Sequence, residues 1–88
     1  MDSRFLNRRR ESLVITVSIL KSARKRILKT HLLGSSLLSY TQFIRYLDFL
    51  EENGFIEKNG NQYRTTMKGL ELIREFESSP LTQSILTT

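Results

Sequence analysis

The sequence contains no cysteine and one histidine, His31, so disulfides, thiolate metal sites and multi-histidine metal sites are excluded. Its apolar runs are four residues or shorter, which is too short to cross a membrane. No apolar h-region follows the basic N-terminal residues, so we expect no secretion signal. We therefore expect a cytoplasmic protein.

Charge is distributed unevenly along the 88 residues. The net charge is +5, but residues 1–31 carry nine Lys or Arg and two acids, whereas residues 32–88 carry five Lys or Arg and seven acids. A basic half favours a face that binds a polyanion, and an ordinary solvated surface is the alternative. The length allows one small domain, divided into a basic arm (1–10), a folded domain (11–77) and a C-terminal tail (78–88).

Residues 12–20, SLVITVSIL, fit two structures. Their alternating apolar positions and β-branched content are typical of a strand, but the same residues form a helical stripe. The flanking segments RRRES and KSARKR contain no turn residues, so we predict a helix from about Arg9 to Ala23 that is buried on two sides. The residues before it are predicted to be irregular, with Phe5 and Leu6 as possible anchors.

Five positive charges follow within nine residues, at Lys21, Arg24, Lys25, Arg26 and Lys29. Thr30 is placed to cap a short helix, HLLGSS, of about two turns. That helix is predicted to bury Leu32 and Leu33.

The clearest helical pattern covers residues 39–53. Ser39 and Gln42 form the S-x-x-Q capping box that satisfies free N–H groups at a helix start. Gly54 suits the position after the C-cap. The inward face of this helix is predicted to contain Tyr40, Phe43, Leu47 and Leu50.

FIEKNGNQYRT predicts a β-hairpin, because Asn59-Gly60 suits a two-residue type I′ turn with positive φ at both positions. This register pairs Ile56 with Tyr63 and places Thr65 on the same, half-buried face.

Thr66 is placed to cap a final helix, MKGLELIREFE, which Ser78-Ser79-Pro80 ends. Helix, short helix, capped helix, hairpin and helix is the order of a winged helix-turn-helix, an α+β fold that is mainly α. The third helix is then the candidate recognition helix.

Short motifs occur in a fixed order within this region: Lys29-Thr30, Leu38-Ser39-Tyr40, Tyr46-Leu47, Gly54-Phe55-Ile56, Tyr63 and Thr66-x-x-Gly69. Over roughly residues 10–77 the chain resembles the small archaeal winged helix-turn-helix DNA-binding regulators. The resemblance implies binding to double-stranded DNA and a homodimer.

The outer face of the third helix has hydrogen-bonding residues at its start and acids at its end. A recognition helix enters the major groove by its N-terminal end, and this explains the polarity because the acids stay away from the phosphates. Gln42 could then read adenine, and Arg45 could bind guanine or a phosphate. In the alternative, Ser39 and Gln42 only cap the helix while Arg45 pairs with Asp48 or Glu52.

The basic cluster is expected to contact phosphates, and Lys58 and Arg64 could act from the hairpin as a wing. The predicted DNA-binding residues are Lys25, Arg26, Lys29, Thr30, Ser39, Tyr40, Thr41, Gln42, Arg45, Lys58 and Arg64. The aromatic residues Tyr40, Phe43, Tyr46 and Phe49 could form a platform for single strands, but core packing is preferred. No catalytic, cofactor-binding or metal-binding pattern is present, so we expect neither an enzyme nor a small-molecule substrate.

More apolar side chains are present than one small core needs: Val14, Ile15, Ile19, Leu72, Phe76, Leu81 and Ile85. We therefore predict a homodimer through the first and last helices, whose recognition helices read an inverted repeat about 34–36 Å apart. The expected function is sequence-specific transcriptional regulation. The expected location is then the cytoplasm in association with the nucleoid, or the host cytoplasm if the gene is viral. The alternatives are a non-specific DNA-coating or chromatin protein and a protein-interaction winged helix in a larger complex.

Overall fold

The computed structural model describes residues 3–78, with side chains from residue 12 onward. Four helices and a small antiparallel sheet of strand order β1-β3-β2 give the predicted mainly helical winged helix-turn-helix fold. The predicted tail beyond Ser78, with Leu81 and Ile85, and the side chains of the basic arm lie outside this description. The elements are α1 (Ser3–Ser22), β1 (Ile27–Leu28), α2 (Lys29–Ser36), α3 (Tyr40–Glu52), β2 (Ile56–Asn59), β3 (Gln62–Thr65) and α4 (Met67–Ser78).

The first helix is longer than predicted. It begins at Ser3 instead of near Arg9, so the prediction of an irregular segment is wrong for residues 3–10. No glycine or proline interrupts this stretch, and a helix extends readily through such a sequence once it has formed. The choice of helix over strand for residues 12–20 is confirmed.

The C-terminal half of α1 packs against α2, α4 and β3, so it is buried on more than one side, as predicted. Fully burying one side chain of leucine size contributes about 1.5–3 kcal/mol. The buried residues here are Thr16, Val17, Ile19, Leu20 and Ala23.

Most apolar residues that suggested a dimer are used within the monomer. Ile19 is 2% exposed, so the expectation that it is surplus is wrong. Val14 and its neighbour Leu13 do remain exposed. Three others pack against the core because α1 and α4 contact each other: Ile15, Leu72 and Phe76.

Helix α2 has the predicted two turns and buries Leu32, but Leu33 is only partly buried and Thr30 does not cap the helix. The N-cap is Leu28, which offers no side-chain acceptor, because the chain passes directly from β1 into the helix. The N–H of Lys29 instead donates to the carbonyl oxygen of Asn61 at 3.1 Å. The helix ends at Leu37, which has the left-handed conformation (φ 60, ψ 18) usually taken by glycine.

Helix α3 is amphipathic, as predicted, and ends at Asn53 with Gly54 following at φ 75. Tyr40 is 60% exposed, so its assignment to the inward face is wrong. It lies in the first turn of the helix, whereas the buried residues of that face begin one turn later. They are Phe43, Leu47 and Leu50.

The hairpin forms in a different register from the predicted one. Asn59 pairs with Gln62, so the turn is Gly60-Asn61 and not Asn59-Gly60. Positive φ occurs at Gly60 alone in this turn, which is the sign pattern of type II′ and not of type I′. The register moves by two residues, which preserves the alternation of side chains. The face predicted to be buried is therefore confirmed: Ile56, Tyr63 and Thr65.

Strand β1 was not predicted, because two residues are too few to show an alternating pattern. Ile27 and Leu28 pair with Tyr63 and Gln62 of β3. This pairing places the loop after α1, including Arg26, beside the wing.

Helix α4 begins at the predicted cap. The Thr66 hydroxyl oxygen accepts a hydrogen bond from the Gly69 N–H at 3.2 Å, and the hydroxyl donates to the Gly54 carbonyl at 2.6 Å. Gly69 is buried where the helix meets the Phe55 main chain and the Thr65 methyl group, with no space for a β-carbon. This contact fixes α4 against the start of the wing.

Candidate nucleic-acid interface

The first turn of α3 is held by the predicted capping box. The Ser39 hydroxyl oxygen accepts from the Gln42 N–H at 3.3 Å, and the Gln42 side-chain oxygen accepts from the Ser39 N–H at 3.4 Å. Gln42 therefore acts as a cap in the free protein. Both side chains are nevertheless exposed at the end of the helix where the dipole favours an anion.

The exposed face of the first two turns of α3 also carries Thr41 and Arg45. Among the described residues, Arg45 forms no ion pair with Asp48 or Glu52. The alternative in which Arg45 pairs with Asp48 or Glu52 is therefore not observed in the described structure. Its guanidinium presents a planar set of donors to an external acceptor.

The other end of α3 is acidic and exposed. Asp48, Glu51 and Glu52 lie in its last two turns, so the 13-residue helix separates them from its N-terminal end by much of its length. A helix of this length spans about 20 Å. The polarity predicted from the sequence is therefore present on the folded surface.

Tyr40 and Lys29 form one local group at the junction of α2 and α3. The Lys29 ammonium lies 5.8 Å from the centroid of the exposed Tyr40 ring, within the range of a cation–π contact. Thr30 is exposed in the same first turn of α2. The predicted residues Lys29, Thr30 and Tyr40 are therefore available at this surface, although Thr30 has no capping role.

The predicted basic cluster does not act as one unit. Lys21 forms an ion pair with Glu77 of α4 at 2.9 Å, and the Arg24 side chain donates to the Lys21 carbonyl oxygen. Lys25 and Arg26 are exposed in the loop between α1 and β1 and have no carboxylate partner among the described residues. Three of the five cations thus make intramolecular contacts, because Lys29 lies over the Tyr40 ring.

A second group forms at the wing. Arg26, Lys58 and Arg64 line a shallow pocket of about 170 Å³, together with Glu57. The sequence predicted the two wing residues, but their closeness to Arg26 depends on β1. Burial raises the pKa of the Tyr63 phenol in this pocket, and the carboxylates of Glu51 and Asp48 add to the effect.

A third group lies along a groove between α1 and α3, which we term the α1–α3 groove. It has a volume of about 640 Å³, with Gln42 and Arg45 on one side and Ser12 and Thr16 on the other. Tyr46 crosses between the helices and donates to the Ser12 hydroxyl at 3.2 Å. No sequence pattern indicates this groove, because residues about 30 positions apart form it.

Of the side chains described within residues 3–78, no group of three or more could together hold a metal ion. No helix in that part of the chain is both long enough and apolar enough to span a membrane.

These features define the class of protein: a helix-turn-helix with an exposed, capped third helix and a basic hairpin wing. The sequence matches the winged helix-turn-helix family over residues 9–83, and the chain belongs to this family. Domains of this family are typically DNA-binding and non-enzymatic, so membership indicates DNA as the partner. A search of curated proteins finds no match.

Proposed function

We propose that the protein is a sequence-specific transcriptional regulator that binds double-stranded DNA as a homodimer, with the helix of residues 39–53 in the major groove. The observation that carries this proposal is the N-terminal end of α3. It is exposed, has no acidic residue in its first turn, and is bordered by Arg45, which has no ion-pair partner within the described residues. The same proposal includes membership of the small archaeal regulators that the sequence resembles.

Sequence reading is assigned to Gln42 and Arg45. An amide that binds adenine through two hydrogen bonds must release the 3.4 Å contact to the Ser39 N–H. This contact is long for a hydrogen bond and exposed, so the exchange costs little. Arg45 needs no such exchange, because no described residue holds its side chain.

Phosphate contacts are assigned to cations on either side of α3. Lys25 and Lys29 would approach the backbone from the α1 end and from α2, whereas Lys58 and Arg64 would approach from the wing. Arg26 lines the wing pocket, so it belongs with the second set. Short polar side chains at the helix starts, Thr30, Ser39 and Thr41, and the Tyr40 hydroxyl could donate further bonds to phosphate oxygens.

Fewer exposed apolar residues support the homodimer than the sequence suggested. Leu13 and Val14 are each 41% exposed on successive positions of α1, which leaves an apolar surface away from the core. Two copies joined here would bind an inverted repeat if their α3 helices lie about 34–36 Å apart.

Selection of bound genomic fragments, followed by fluorescence anisotropy, tests the function. We expect the selected duplex to bind at least about 10³-fold more tightly than a scrambled duplex at the same salt concentration. Equal affinities would contradict a regulator and favour a DNA-coating protein. Absence of duplex binding at physiological salt would instead favour a protein-interaction module.

A further inference from the structure

We propose that the α1–α3 groove is a binding site for a small amphipathic organic anion. Its volume of about 640 Å³ lies within the range of about 300–1,000 Å³ that is typical of small-molecule sites. The wing pocket, at about 170 Å³, is below that range. The groove therefore has room for a ring system with a charged substituent.

The groove offers an apolar surface for the body of such a ligand. Ile15 and Leu38 line it and are only partly covered by the protein core. Phe49 lines it from α3 and is 50% exposed, although it is a large apolar side chain. A flat aromatic ligand would cover this ring and remove apolar surface from water.

Hydroxyl groups in the groove have unused hydrogen-bonding capacity. Thr16 is 6% exposed, yet its hydroxyl has no hydrogen-bond partner among the described residues. No fully buried side-chain polar atom of those residues is unpaired, so this hydroxyl keeps contact with the open space of the groove. The Ser12 oxygen accepts from Tyr46, which leaves the Ser12 proton available for an acceptor on the ligand.

The positive charge of Arg45 favours a negatively charged ligand. Among the described residues that line the groove, Arg45 is the one that is charged, and it has no ion-pair partner within the described part of the chain. A carboxylate or sulfonate would find a guanidinium there, whereas an ammonium group would be repelled. Because Arg45 is exposed, solvent reduces the strength of this pairing.

The groove shares Arg45 and Gln42 with the surface assigned to base reading, so a bound anion would compete with DNA. That consequence rests on the proposed function. The binding itself does not, and it is measured on the protein without DNA.

The probe is 1-anilinonaphthalene-8-sulfonate, an aromatic sulfonate that fluoresces when it is shielded from water. We expect saturable binding of one molecule per chain, with amide chemical-shift changes in NMR spectra confined to the residues around Thr16, Leu38 and Phe49. Shifts centred elsewhere, or no saturable binding, overturn the proposal. Binding that is lost as sedimentation shows a dimer forming also overturns it, because a second copy then fills the groove.

Two variants and a matched control test the contacts. Arg45→Gln should raise the Kd for the dye about two- to fivefold, as expected for an exposed ion pair. Thr16→Val, which keeps the shape of the side chain, should also weaken binding through the lost hydroxyl. Arg64→Gln removes the same charge from the wing and should leave the Kd unchanged. Equal effects of Arg45→Gln and Arg64→Gln overturn the proposal, because the attraction is then non-specific.

Discussion

The hydroxyl of Thr65 donates a hydrogen bond of 2.7 Å to the main-chain oxygen of Leu20. The N–H of Thr65 also donates to the Ala23 carbonyl oxygen at 2.8 Å. Thr65 is 4% exposed, so these bonds join the end of the sheet to the end of α1 away from water. They hold the wing in a fixed position relative to the helices.

We therefore expect Thr65→Val to lower the free energy of unfolding by about 0.5–1.5 kcal/mol, because the shape is kept while the hydrogen bond is lost. Urea denaturation measures this change. The control is Thr41→Val on the exposed face of α3, which should change stability by no more than about 0.5 kcal/mol. Equal effects of the two substitutions would show that the buried bond contributes nothing.

Replacement by alanine should have opposite effects on stability at two glycines that lie in helices. A β-carbon at Gly69 would overlap the Phe55 carbonyl oxygen, so we expect Gly69→Ala to destabilise the protein by about 1–3 kcal/mol. Nothing lies within 4 Å of a β-carbon at Gly34, so Gly34→Ala should stabilise it by about 0.5–1 kcal/mol. Midpoints of thermal unfolding test both signs, and a gain at Gly69 would contradict the observed packing.

Leu37 combines a left-handed backbone with a side chain that is 96% exposed. That conformation costs a non-glycine residue roughly 1–2 kcal/mol, and the exposed side chain provides no packing in return. Leu37→Gly should therefore raise the free energy of unfolding by about 1 kcal/mol in urea titrations. Leu37→Ala keeps the β-carbon and should give no comparable gain, and a gain as large in that variant would argue against backbone strain.

Local chemistry explains which parts of the fold were predictable. The capping box of α3 was predicted correctly because both partners lie within one turn and no distant residue competes for them. The cap assigned to Thr30 failed because β1 fixes where the chain enters α2, and β1 exists only through its pairing with β3. The hairpin turn was misplaced by one residue because both Asn59-Gly60 and Gly60-Asn61 satisfy local turn preferences.

In the candidate site, too, the features that depend on neighbouring residues were predictable and those that depend on distant contacts were not. The hydrogen-bonding start and the acidic end of α3 follow from the order of residues along one helix, so the sequence was sufficient to predict them. The approach of Arg26 to Arg64 and the groove beside Arg45 depend on contacts between distant elements. A sequence pattern contains no direct information about such contacts.

Burial raises the pKa of Tyr63 above its ordinary value of about 10, and Glu51 and Asp48 contribute further. The folded state therefore holds this proton more tightly than the unfolded state does. The contribution of the Tyr63 phenol to the free energy of unfolding is fully present below about pH 10 and is lost as the pH rises through the pKa of the folded state. Tyr63→Phe should reduce the loss of stability above about pH 10 and not below it, and parallel stability profiles of the two proteins over the alkaline range would contradict this.

If the proposed function is correct, substitutions of base-reading residues and of phosphate-binding residues should have different effects on DNA affinity. Lys25→Ala and Arg26→Ala should each weaken all duplexes alike and lower the salt dependence by about one unit of slope, because each removes one phosphate contact. Arg45→Ala should cost about 1–3 kcal/mol on the preferred site and less on a scrambled duplex, because only the base contact is specific. Anisotropy titrations at several salt concentrations measure both effects. A uniform loss for Arg45→Ala, indistinguishable from that of Lys25→Ala, would reduce Arg45 to a phosphate anchor and leave the recognition role of α3 without support.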